Sequence, residues 1–332
     1  MKILVTGATG QTGSYLCEIL LAQGHNVHGL KRRTSTNNTS NLVNCINLPN
    51  FTLVEGDVTD QCSITDIIRL GQYDRIYHLA AQSHVHSSFK QPAYTCNTIY
   101  NSTLYILEGI KNYSKDTRLF HSATSEMFGK NYITIENGKK IQNENTPFCP
   151  QSPYSIAKLS AFHLVRLYRE AYGLYACSGI IFNMESPRRG EQFVTKKITK
   201  YVARLYHSLN TGTLLPPPLP LGNLNASRDW GYARDYAEAI VKFLDQQDIS
   251  KDMVISTDET RTINELLKEA FSVIDIIDYQ KYITIDPEYY RPAEVDYLLG
   301  DSSLARKTLG WEPTVTFKEL INLMVIHDIQ SY

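Results

Sequence analysis

This 332-residue chain is poor in cysteine and tryptophan, with six of one and two of the other. Cys17, Cys45, Cys62, Cys96, Cys149 and Cys177 are scattered and never form CxxC. That spacing argues against a disulfide framework or a zinc site and predicts free thiols in a reducing compartment. No apolar run is long enough to span a bilayer. Neither sign of charge is in excess: Lys plus Arg number 33, Asp plus Glu 34, for a formal net charge of -1. Nothing in that balance calls for nucleic acid or an acidic membrane surface. There is no internal repeat and no low-complexity tail. Met1 runs straight into an apolar stretch with no secretory leader, so the expectation is a soluble cytoplasmic protein without a structural metal.

What is present begins at the first residues. Ile3-Leu4-Val5 is the short apolar run of a buried parallel strand. Thr6-Gly7-Ala8-Thr9-Gly10-Gln11-Thr12-Gly13 follows, with glycines spaced GxxGxxG. Ser14 to Gln23 then reads as an amphipathic helix closed by Gly24. Strand, glycine turn and helix in that order make a dinucleotide site, because glycine lets backbone approach a pyrophosphate and the helix N-terminus offers free N–H groups. Asn26 to Leu30 reads as a second strand. An NAD site would place an acid at its end. Lys31-Arg32-Arg33-Thr34-Ser35 stands there instead, and guanidinium groups suit a 2′-phosphate. The cofactor expected is NADP.

Further strands are expected at 51–57, 75–81 and 118–122, alternating with helices at about 63–70 and 93–113, and a sixth strand at 175–183. This rhythm predicts an α/β fold with a doubly wound parallel sheet of the Rossmann type. The cofactor domain is expected over 1–183. Residues 184–332 would form mainly a smaller α/β substrate domain, with some later segments, about 230–260, packing back on the sheet. The helix from Tyr154 to Tyr172 opens with Tyr154-Ser155-Ile156-Ala157-Lys158, which is YxxxK. At that spacing phenol and ammonium share a face, and a cation beside a phenol lowers its pKa. Tyr154 could then exchange a proton with a sugar hydroxyl while hydride moves to or from nicotinamide. Thr124 can hold the reacting oxygen, and Glu126 can take a proton from carbon beside a carbonyl.

Together these stretches resemble the extended short-chain dehydrogenase/reductases, and within them the GDP-mannose 4,6-dehydratase family. TGATGQTGSYLCEILL, VHGLKRRTS, GDVTD, LAAQSHV, ATSEMFGK and TPFCPQSPYSIAKL carry the likeness. So do the more specific FNMESPRRG, FVTKKI, GNLNASRDWGYARDY, YYRPAEVDYLLGD and LGWEPTVTFKELI. The resemblance implies a redox-neutral elimination on GDP-mannose: oxidation at carbon 4, loss of water across carbons 5 and 6, and re-reduction at carbon 6. It implies Thr124, Glu126, Tyr154 and Lys158 as catalytic residues. Around the cofactor it implies Gly7, Thr9, Gly10, Gln11, Thr12, Gly13, Arg32, Arg33, Asp57, Val58, Leu79, Ala80, Ala81, Ser83, Tyr94, Lys158 and Arg189. Around the nucleotide-sugar it implies Ser83, Ser125, Asn183, Glu185, Lys197, Arg228, Arg291 and Glu294. A homo-oligomer, dimer or tetramer, is also implied, with Arg32 to Ser35 able to reach a neighbouring subunit. The chain departs from the pattern at Met184, where the family has histidine, and in a shorter stretch between Val273 and Asp286. Two alternatives stay open at this point. One is a dehydratase or 4-epimerase for another nucleotide-sugar, and the other is a catalytically silent NADP-sensing protein.

Overall fold

A computed structural model describes residues 1–332 except 36, 37, 137, 247–250 and 291. Among the described residues, seven parallel strands form the main sheet: β1 (Lys2–Thr6), β2 (Asn26–Lys31), β3 (Phe51–Glu55), β4 (Arg75–His78), β5 (Arg118–Ser122), β6 (Ala176–Ile181) and β7 (Met253–Ile255). They lie in the order β7-β6-β5-β4-β1-β2-β3, so β1 sits between β4 and β2. Ile3, Leu4 and Val5 are buried, as a central parallel strand requires. The order reverses beside β1, where a doubly wound sheet opens a crevice at the carboxyl ends of its strands.

Helices cover both faces. On one, α1 (Gln11–Ala22) packs Leu16 and Leu20 against Tyr236 and Ile240 of a helix much later in the chain. On the other, Ile64 and Ile68 of α2 (Gln61–Gly71), Ile106 and Ile110 of α3 (Ser102–Tyr113), and Val165 of α4 (Pro153–Tyr172) share one apolar cluster. A third cluster joins α5 (Val194–Thr211), α7 (Ile263–Ser272) and α8 (Phe317–Gln330) through Ile198, Val202, Leu267, Phe271, Ile321 and Val325. Between α5 and α7 the chain returns to the sheet. Helix α6 (Ala233–Asp245) covers α1, and β7 pairs with β6 in parallel register, Val254 opposite Ile180. Arg75 clamps this return with an ion pair to Asp245 at 2.6 Å, and Arg118 donates to the carbonyls of Leu244 and Gln246. No described helix is long and apolar enough to cross a membrane.

Two expected elements are divided. The long helix expected at 93–113 has a widened turn at Asn97–Asn101. There the hydroxyls of Thr98, Ser102 and Thr103 donate to carbonyls one turn back, which loosens the regular ladder. The sixth strand ends at Ile181, because the Phe182 N–H still bonds to Ile255 while the Asn183 N–H bonds to Asp229 instead. Asn183–Glu185 then pairs in parallel with Trp230–Tyr232 and leads the chain over the strand ends.

Candidate active site

A cavity of about 920 Å³ lies over the carboxyl ends of the strands and is lined from the β1–α1 turn to Glu294. It lies within the size range of small-molecule and cofactor sites. Its first wall is the glycine turn. Gly7 has φ +71°, and a Cβ there would meet the Ala80 nitrogen at 2.9 Å; one on Gly13 would meet the Gly7 carbonyl at 2.1 Å. Only glycine allows the strand, turn and helix to close this tightly. Helix α1 starts after Gly10 with no side-chain cap and no acid in its first turn, and Gly10, Gln11, Thr12 and Gly13 line the cavity. An uncapped helix start against open space is a donor cluster suited to a pyrophosphate. The residues present therefore fit a dinucleotide.

At the end of β2 the cavity wall is Arg32, whose guanidinium donates to the Tyr94 hydroxyl at 2.9 Å. Arg33 is exposed and lies off the cavity. Asp57 and Val58 line the wall beside it, Asp57 holding its own turn through the Thr59 N–H and hydroxyl. Leu79, Ala80, Ala81 and Ser83 follow along the floor. Met184 closes the cradle from above. Its carbonyl accepts from the Gln11 amide at 3.0 Å and its sulfur from the Thr12 hydroxyl at 3.2 Å, so the position that departs from the family still contacts α1.

The floor of the cavity carries Thr124, Ser125, Glu126, Tyr154 and Lys158, all buried. Ser152 and Ser155 cap one another at the start of α4 and Pro153 opens the first turn. That start aims Tyr154 and, one turn on, Lys158 inward. Thr124 caps the next turn by accepting from the Glu126 N–H at 3.3 Å, which brings the carboxylate to the same place. Burial holds the Tyr154 phenol up at about 12; the Thr124 hydroxyl beside it works the other way. Burial brings the Lys158 ammonium down to about 7, and its Nζ donates to the Ser122 carbonyl at 2.5 Å. The expectation of a phenol lowered by its lysine is thus reversed in the free protein, because burial outweighs the charges near the phenol.

The far wall holds the residues assigned to the nucleotide-sugar. Asn183, Glu185, Lys197, Arg228 and Glu294 all line it, while Arg291 lies outside the described residues. Glu185 is buried, and burial raises its pKa against the opposing pull of Arg189. Arg189 Nε lies 3.1 Å from Glu185 Oε2, an ion pair out of line for a hydrogen bond, and its guanidinium sits 3.6 Å over the Phe193 ring. Arg189 also bears on Tyr154 electrostatically and lines the same cavity as Arg32. Arg228 pairs with Glu294 at 3.4 Å. Lys197 lies 3.7 Å over the Tyr289 ring. Sequence reasoning missed His84, His86, Phe193, Trp230 and Tyr289, which also line the cavity. Four of them, His84, Phe193, Trp230 and Tyr289, lie inside the quoted stretches and His86 directly follows one, and that membership was their only sequence signal.

The family model described as GDP-mannose 4,6 dehydratase matches residues 4–324. GDP-mannose 4,6 dehydratase 2 of Arabidopsis thaliana is 43% identical, covering 98% of this chain and 86% of the relative. The GDP-mannose 4,6-dehydratase of Vibrio cholerae serotype O1 is 40% identical, covering 99% and 93%. Among solved structures, a UDP-glucose 4-epimerase of Thermotoga maritima with UDP-glucose superposes with a TM-score of 0.82 at 26% identity, covering 100% of this chain and 99% of its own. A UDP-glucose 4-epimerase of Thermus thermophilus in complex with NAD gives 0.81 at 25%, covering 99% of each chain.

Proposed function

This chain belongs to the GDP-mannose 4,6-dehydratase family and dehydrates GDP-mannose, and we propose that it does so with NADP, through Thr124, Glu126, Tyr154 and Lys158. The observation that carries the residue assignment is the convergence of those four side chains in the one cavity that the glycine turn also lines. A nicotinamide cofactor, held by the glycine turn and Arg32, would supply hydride chemistry at sugar carbons 4 and 6. The residues do the rest. Tyr154 takes the proton of the 4-hydroxyl, and Thr124 holds that oxygen by hydrogen bonding. The resulting 4-ketone acidifies the proton on carbon 5, because the enolate is stabilised. Glu126 removes that proton and passes it to the 6-hydroxyl, which leaves as water. Lys158 favours the phenolate of Tyr154 once it is charged. A simple 4-epimerase has no use for a carboxylate at the carbon, so Glu126 favours the eliminating reading.

Choice of NADP over NAD rests on Arg32 at the cavity wall and the lack of an acid at the end of β2. Lys197 and Arg228 would hold the diphosphate, as cations suit paired phosphates. The family resemblance further supports a cytoplasmic homo-oligomer. The test is product analysis by mass and NMR after incubation with GDP-mannose and no added reductant. The expected product is GDP-4-dehydro-6-deoxy-mannose, lighter by one water, with no net consumption of cofactor. Turnover of UDP- or dTDP-glucose alone would overturn the GDP-mannose reading.

A further inference from the structure

The 185–193 segment, whose Glu185, Arg189, Gln192 and Phe193 line the cavity, is held from two sides. On one side, Arg188 donates to Glu18 Oε1 at 2.6 Å and to the Ser14 hydroxyl at 2.9 Å, fixing it to α1. On the other, two successive residues of α5 reach it. The Thr195 hydroxyl donates to Glu185 Oε2 at 2.5 Å, and Lys196 Nζ donates to the Pro187 carbonyl at 2.8 Å. Lys196 is 6% exposed and its ammonium is paired with Asp328, which is also 6% exposed. The second oxygen of Asp328 accepts from Thr199 at 2.7 Å, and the His327 ring stands 3.5 Å from the first.

We propose that Asp328, in the last turn of α8, is a positioning residue for the dehydration. Through Lys196 it holds the Pro187 carbonyl, and with it the backbone that delivers Glu185 and Arg189 to the catalytic floor. A pair needed only to join two helices would be dispensable here. Helices α5 and α8 already share Ile198, Val202, Ile321 and Val325, and a buried ion pair is often no more stabilising than apolar side chains of the same volume. The feature that such a joint does not need is the third partner, a carbonyl in the active-site segment. Asp328 does not line the cavity and acts through the ammonium. The inference rests on the dehydratase reading above.

The experiment compares wild type, Asp328→Asn, Lys196→Arg and the double variant Lys196→Met with Asp328→Leu, as full chains assayed with GDP-mannose. The double variant replaces the pair by apolar volume, so it separates folding from positioning. Asp328→Asn and the folded double variant should lose about tenfold or more in kcat, in line with the effect of small misplacements at an active centre. Their KM for GDP-mannose should stay within about threefold, since Lys197 is braced by the Pro220 carbonyl and the Tyr289 ring and Arg228 by Glu294, none of which depends on the Lys196–Asp328 pair, a split that lost transition-state positioning produces. Lys196→Arg, which keeps a cation able to reach both partners, should retain most of the rate. A double variant with wild-type kcat would overturn the proposal. So would a loss expressed in KM with kcat intact, or failure of every pair-breaking variant to fold, which would make the pair a folding joint. If wild type itself leaves GDP-mannose unchanged, the dehydratase reading fails instead.

Discussion

Lys158→Met should cost the enzyme its activity and make the cofactor-free protein more stable at low pH. Lys158 is 4% exposed, and burial takes its ammonium from an ordinary 10.5 down to about 7. The unfolded chain keeps that proton up to the higher value, so between the two it binds more protons than the folded protein. Folded stability therefore rises with pH across that window. Below about pH 7 the charge is forced into the core. At about 1.4 kcal/mol per pKa unit this carries a penalty of about 5 kcal/mol as an upper bound. Methionine removes the charge and keeps most of the volume, but leaves the Ser122 carbonyl without its donor, a loss of about 1–3 kcal/mol. The variant should therefore exceed wild type at pH 6, by at most about 2–4 kcal/mol. By pH 9, two units above the folded pKa, about 2.7 kcal/mol of that advantage should be gone. Denaturant unfolding of both cofactor-free proteins at pH 6, 7.5 and 9 measures the difference directly. A gap that does not change with pH would show that the lysine stays charged in the fold, and the reasoning from burial would be wrong.

Glu126→Gln should still oxidise the sugar but stall before water leaves; reduced-nicotinamide absorbance should accumulate on the protein, and rapid full turnover would remove Glu126 from the base role. Arg32→Ala with Arg33→Ala should weaken NADP at least tenfold more than NAD in titration calorimetry, and equal losses would show that neither arginine reads the 2′-phosphate. Gly13→Ala places a methyl 2.1 Å from a backbone oxygen that cannot swing aside. It should lower stability by about 3 kcal/mol or more and abolish cofactor retention, against the 1–3 kcal/mol typical of overpacked cores. A variant that melts like wild type with cofactor bound would contradict the close packing of this turn.

Much of the fold was legible in the sequence, because its signals are local. Apolar runs, glycine turns and the YxxxK spacing are short-range patterns, and they located six of the strands and the start of α4. The seventh strand was not so legible. Met253–Ile255 is three residues long, and it belongs to the sheet only because α6 first carries the chain back across α1. That Thr124, Glu126, Tyr154 and Lys158 meet in one cavity was legible for the same local reason, since Thr124 and Glu126 share one turn and Tyr154 and Lys158 one helix. The charge state was not. The phenol at about 12 and the ammonium at about 7 follow from complete burial, which no spacing encodes. The aromatic wall of Phe193, Trp230 and Tyr289 comes from three distant stretches and has no periodicity of its own.

The return of α6 and β7 to the sheet bears on how the chain comes off the ribosome. A nascent chain ending near residue 183 would display Leu16, Leu20 and the outer edge of β6 to water, with neither α6 nor β7 yet made. That is a sticky, unpaired edge, the kind of surface that chaperones bind and aggregates grow from. The cofactor half is thus expected to mature late, after about seventy further residues have emerged. A gene fragment encoding 1–183 alone should yield inclusion bodies, whereas co-expression with 184–332 as a separate polypeptide should rescue solubility.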